Sequence, residues 1–152
     1  MTIPVLVVGT GALASFFAAR LAAADAQVTM LGRWPDGLAA LQARGACLVE
    51  ADGREACWPV RATADPIACR PAGLALVLVK SWQTQRAAAQ LASCLAADGI
   101  ALTLQNGWGN RETLQAQLGA QRVAAGVTTL GATLLGPGRV RGRRRPDHRI
   151  CG

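Results

Sequence analysis

Tyrosine is absent from this 152-residue chain, histidine and lysine occur once each, and only 4% of the residues are aromatic. With so few rings available, a core has to be built from Ala, Leu and Val. The single histidine, His148, sits among arginines near the C-terminus with no recognisable partner, which excludes a Ser-His-Asp triad and a His-based metal site. It reads as an unstructured surface position. No apolar run approaches the roughly 18 residues of a membrane-spanning helix, because the longest, Val5 to Val8 and Leu74 to Val79, are strand-sized. No basic leader precedes them, since the first cation is Arg20, and the chain reads as cytoplasmic. The five cysteines, Cys47, Cys57, Cys69, Cys94 and Cys151, contain no CxxC pair. They suggest neither a zinc site nor a disulfide framework, and read as reduced thiols serving as small buried hydrophobes.

Acidic residues are also scarce, 9 against 16 Lys and Arg, giving a formal net charge of +7. The excess is local. Six arginines and one aspartate fall in residues 139–152, and the rest of the chain is nearly neutral. Such a cluster could neutralise phosphates, but it lacks interleaved aromatics, so nucleic acid is not the expected partner.

What is present is a globular composition, 51% hydrophobic, in a chain of one-domain size. The apolar run Ile3 to Val8 leads into Gly9-Thr10-Gly11-Ala12-Leu13-Ala14, and Ser15 to Ala24 then reads as a helix. Strand, glycine turn and helix start together bring free backbone N–H groups to one point, where the helix dipole favours a pyrophosphate. Gly9 permits the tight turn, and Gly11 lets the backbone approach the ligand without a Cβ in the way. Ala14 departs from the third glycine of the motif but still allows close helix-to-strand packing.

Gln27 to Leu31 reads as a second strand and Leu38 to Arg44 as a helix. Leu48 to Ala51 and Ala56 to Val60 flank Asp52-Gly53, a hairpin signal. Leu74 to Val79 has the continuous apolar character of a strand covered on both faces. Thr84 to Ala97 reads as a helix, Ile100 to Leu104 as a strand, Asn110 to Leu118 as a helix and Val123 to Val127 as a strand. The alternation predicts an α/β fold, a Rossmann-type, doubly wound and mostly parallel sheet with helices on both sides. Gly9, Arg33, Lys80 and Asn106 each fall just past a strand end, and ligands in such sheets bind beyond those ends.

A dinucleotide site that takes NAD usually has Asp or Glu at the end of its second strand, whereas this chain reads Met30-Leu31-Gly32-Arg33. A guanidinium there suits the 2′-phosphate of NADPH, the alternative being a solvated loop arginine. Lys80 is either a solvated strand-end charge or, with Ser81, Trp82 and Gln83, part of the site. Asn106-Gly107 is either a hairpin turn or a loop entering a helix that Asn110 caps and Glu112 supports.

In their order along the chain, the glycine turn, Arg33, Val79-Lys80-Ser81-Trp82-Gln83, Gln105-Asn106-Gly107 and Gly126-Val127-Thr128-Thr129 resemble the N-terminal half of the ketopantoate reductase family, the NADPH-dependent 2-dehydropantoate 2-reductases. The resemblance covers residues 1–140. It implies an NADPH-binding domain in which Gly9, Thr10, Gly11, Ala12, Leu13 and Ala14 hold the pyrophosphate and Arg33 the 2′-phosphate. Lys80 lines the groove, Asn106 lies near the nicotinamide and substrate, and Ala132 makes a further cofactor contact. The family's general-acid lysine belongs to a C-terminal helical domain, so no catalytic residue is assigned here. The substrate implied is ketopantoate. Residues 141–152 are expected to be an unstructured or out-of-frame arginine tail, without strand or helix pattern, on a truncated chain that is weakly active or inactive alone and open to self-association. The alternative is a stand-alone NADP(H)-binding module without catalysis.

Overall fold

The computed structural model describes residues 2–144. Six strands form one all-parallel sheet: β1 (Pro4–Val8), β2 (Gln27–Leu31), β5 (Arg61–Thr63), β6 (Ala72–Val77), β7 (Leu95–Thr103) and β8 (Val123–Ala125), in the order β5-β2-β1-β6-β7-β8. From β1 the chain winds outward to β2 and β5, then returns to the other side of β1 for β6, β7 and β8. The strand order therefore reverses between β1 and β6, the position where a doubly wound sheet opens a crevice.

β1 shows why the sheet is buried on both faces. Leu6 and Val8 point into a core shared with helices α3 (Thr84–Cys94) and α4 (Asn110–Leu118), while Val5 and Val7 point into a core built around α1 (Ala12–Ala23). The predicted alternation is thus observed, with boundaries shifted by a few residues; Asn110 to Leu118 coincides with α4. The third helix ends at Cys94 rather than Ala97 because the backbone turns extended at Leu95 and joins β7. Helix α2 (Pro35–Arg44) starts three residues earlier than expected, because Pro35 is preorganised for the first turn of a helix.

A second sheet covers α1. It has the order β4-β3-β10-β9, from β3 (Ala46–Val49), β4 (Glu55–Trp58), β9 (Leu130–Gly136) and β10 (Arg139–Arg144). The expected hairpin at Asp52-Gly53 is its β3–β4 pair. Held between two sheets, α1 needs apolar or small residues nearly all round, and Ala14, Ala18 and Ala19 are fully buried. Phe16 leaves room only for glycine at position 142, where a Cβ would lie 2.7 Å from its ring.

Two expectations are corrected. Cys47 and Cys57 are not free thiols: they face each other across the β3–β4 pair, Cα atoms 4.0 Å apart, and form a disulfide. Antiparallel pairing brings together cysteines that no local spacing motif would link. Cys69 and Cys94 remain thiols; burial, with Cys69 beside it, pushes the Cys94 thiol up to about 11. Second, regular structure continues past residue 140. β10 runs to Arg144, paired parallel to β3 and antiparallel to β9, because Val140 is buried in the core around α1 and anchors the strand. The expectations for His148, Cys151 and the remainder of the arginine tail lie outside the described residues.

Candidate functional site

At the carboxyl ends of β1, β2, β6 and β7 lies a groove of about 440 Å³. Its floor is the glycine turn. Gly9 has φ +130°, a value that favours glycine, and its N–H donates to the Leu31 carbonyl at 2.8 Å. A Cβ at Gly9 would come within 3.2 Å of both the Ala14 Cβ and the Leu78 carbonyl oxygen, so Ala14 is fully buried under the turn and acts by packing. Gly11 is different, since a Cβ there would meet nothing within 4 Å. It is the N-cap residue of α1, no side chain caps that helix, and its first turn carries no acid. The donors of the first turn thus face the groove without a protein acceptor.

The β2 wall carries Arg33 and Trp34. Thr10 is buried, and its side chain occupies the space beside Gly32, where a Cβ would lie 2.3 Å from it. The Gly32 N–H donates to the Thr63 carbonyl at 3.1 Å, which fixes the end of β2 and leaves the Arg33 side chain exposed at the rim. Trp34 lies against Gly37 and presents an apolar surface to the groove.

The opposite wall is two loops tied by a polar network. After β6, the Gln83 carboxamide oxygen accepts from the Lys80 N–H at 3.2 Å, and Ser81 donates to the Asn106 carbonyl at 3.0 Å. After β7, the Gln105 carboxamide donates to the Val79 carbonyl at 2.8 Å and to the Thr84 hydroxyl at 2.9 Å. Thr84 in turn donates to the Asn110 side-chain oxygen at 2.8 Å. The Asn110 amide nitrogen donates to Ser81 Oγ and the Asn106 carbonyl, both at 3.2 Å. Asn110 therefore does not cap α4; Gly109 is its N-cap residue, and the Asn110 side chain turns inward to join the loops. Asn106-Gly107 is the loop entering that helix, not a hairpin turn.

The groove thus gathers Gly9, Thr10, Gly11, Ala12, Leu13, Arg33, Lys80, Asn106 and Ala132. Ala14 lies beneath it. Trp82 points away, 78% exposed, although Ser81 and Gln83 on either side line the groove. Trp34, Arg86 and Leu104 also line it without having been expected to, as do Gly32 and Gln105, which entered only as neighbours of Arg33 and Asn106. Gly32 and Trp34 flank Arg33 and were within reach of the same strand-end logic; Arg86, on a helix, carries no local signal. No carboxylate is among the lining residues, while Arg33, Lys80 and Arg86 all are. None of the three ion pairs among the described residues involves these cations.

An all-parallel sheet whose strand order reverses beside a glycine turn, with a cationic groove above it, defines a doubly wound α/β domain of the Rossmann type. Residues 5–149 match the profile described as Ketopantoate reductase PanE/ApbA, and the chain belongs to that family. The 2-dehydropantoate 2-reductase of Halobacterium salinarum is 37% identical over 139 residues, which are 90% of this chain and 45% of that protein. The crystal structure of a PanE/ApbA family ketopantoate reductase from Ralstonia eutropha JMP134 is 36% identical with a TM-score of 0.85, over 94% of this chain and 47% of that one. D-mandelate dehydrogenase in a ternary structure with NADH and anilino(oxo)acetate matches with a TM-score of 0.82 at 22% identity, over 91% of this chain and 45% of that one, and attests the fold alone. The chain spans about half the length of these relatives.

Proposed function

We propose that this chain is the cofactor-binding part of an NADPH-dependent 2-dehydropantoate 2-reductase, the enzyme that converts ketopantoate to pantoate. The observation that carries the reading is the pairing, in one groove, of an uncapped helix N-terminus above Gly11 with a cation in place of a carboxylate at the end of β2. The open space over Gly11 fits a pyrophosphate, which the N–H groups of the first turn of α1 would bind. Arg33 would pair with the 2′-phosphate through its planar fork of donors. Lys80, the only lysine of the sequence, would add charge from the opposite wall, and the loop network would hold Asn106 toward the nicotinamide and the 2-oxo acid. The bound cofactor supplies the hydride for the 2-keto group; these residues supply its position and orientation. The family lysine that would protonate the product oxygen corresponds to no residue of this groove.

Arg33→Ala tests this reading. Because only NADPH carries the 2′-phosphate, the substitution should weaken NADPH binding roughly tenfold or more and leave NADH within about twofold. Titration of the full chain followed by nicotinamide fluorescence measures both, and an equal loss for the two cofactors would refute the role.

A further inference from the structure

We infer that Arg86 is a second determinant of cofactor choice, holding the 2′-phosphate from the α3 wall while Arg33 holds it from the β2 wall; the inference rests on the NADPH reading above. Arg86 lies in the first turn of α3, with its side chain exposed on the groove. That is an unfavourable place for a cation. A helix N-terminus is the positive end of the dipole, and α3 has no acidic residue in its first turn to offset the charge. Arg86 also makes no ion pair and no side-chain hydrogen bond among the described residues. It therefore contributes little to the stability of its own helix, and its charge is directed at whatever occupies the groove.

The charge balance points to which group that is. A pyrophosphate at the glycine turn meets the free N–H groups and dipole of α1 and does not require side-chain cations. Arg33, Lys80 and Arg86 are then a surplus of positive charge, lining a groove with no carboxylate among its lining residues. A 2′-phosphate, close to a dianion at neutral pH, satisfies that surplus, and NADH leaves it unmet. The α3 start that carries Arg86 is rigidly placed: Thr84 is 2% exposed and bonded to both Gln105 and Asn110. The guanidinium is thus anchored at its base and free at its tip.

The test is a titration of the full chain with NADPH and with NADH, for the wild type, Arg86→Ala, Arg86→Lys and the control Arg111→Ala on the exposed surface of α4. Arg86→Ala should lose roughly five- to tenfold in NADPH affinity with NADH unchanged within about twofold, and its melting temperature without ligand should not fall. Arg86→Lys should recover part of the loss, and Arg111→Ala should show none. The inference is overturned by an Arg86→Ala variant that keeps the wild-type preference, by equal losses for both cofactors, or by an equal loss in Arg111→Ala, which would reduce the effect to net charge. A wild-type chain without preference for NADPH would overturn both this inference and the reading beneath it, whereas preference lost in Arg33→Ala but kept in Arg86→Ala overturns this inference alone.

Discussion

A methyl group added at Gly11 would touch no protein atom within 4 Å, whereas one added at Gly9 would press on Ala14 and on the Leu78 carbonyl at 3.2 Å, in a backbone with φ +130°. The two glycines of one turn are therefore kept for different reasons. Gly9→Ala should strain the fold itself. Gly11→Ala should cost at most about 1 kcal/mol of stability, the difference between glycine and alanine as N-cap residues, because its φ of −83° suits any residue. The same substitution should weaken NADPH and NADH alike by about tenfold or more, since both carry the pyrophosphate that would meet the new Cβ. Urea denaturation and cofactor titration of this variant separate the two effects; retention of full cofactor affinity would remove the glycine turn from the binding site. The uniform loss expected at Gly11 contrasts with the NADPH-selective loss expected at Arg33 and Arg86.

At the scale of elements, the site depends on two loops, after β6 and after β7, whose only regular structure is the 3-10 turn Ser81–Gln83 and which are held together by side chains. Asn110 is the junction: it is 5% exposed, accepts from Thr84 and donates to Ser81 and to the Asn106 carbonyl. Asn110→Ala leaves buried polar groups without partners and should destabilise the chain by about 2 kcal/mol. It should also raise amide exchange across residues 105–109 and weaken cofactor binding through the loosened loops. Unchanged exchange there would show that the network does not position Asn106. None of this network was legible in the sequence, because it joins Thr84, Gln105 and Asn110 through tertiary contacts and each reads locally as an ordinary cap or loop residue. The parallel sheet was legible, since Leu6 and Val8 alternate with Val5 and Val7 in a run that must be buried on both faces. The glycine turn and the residues at the strand ends, Arg33 and Lys80, were legible for the same reason, that strand ends define the crevice. The second sheet was only half visible. Its β3–β4 hairpin announces itself through Asp52-Gly53, but the parallel pairing of β10 with β3 joins residues about ninety positions apart, and the arginine-rich composition of β10 masks its one buried anchor, Val140.

At the scale of the whole molecule, the rim formed by the loops after three neighbouring strands carries apolar side chains that the fold leaves exposed. Trp82 follows β6, Trp108 follows β7 and Val127 follows β8, with exposures of 78%, 102% and 93%. Scattered apolar residues on a surface are ordinary, but β6, β7 and β8 are consecutive neighbours in the sheet, so their following loops emerge side by side at one end. Two of the chain's four tryptophans are thereby placed in water on adjacent loops. A second copy of the chain is the partner that is always present at equal concentration, and burying such rings against it is worth on the order of 25 cal/mol per Å² of apolar surface. The isolated chain is therefore expected to self-associate reversibly through this rim. Light scattering across a concentration series should show a rising mean mass for the wild type. Trp82→Ser combined with Trp108→Ser should suppress it without lowering the melting temperature, because neither ring belongs to the buried clusters. A wild-type mass that stays monomeric up to high concentration would show that the rim is too small or too broken to hold two copies together.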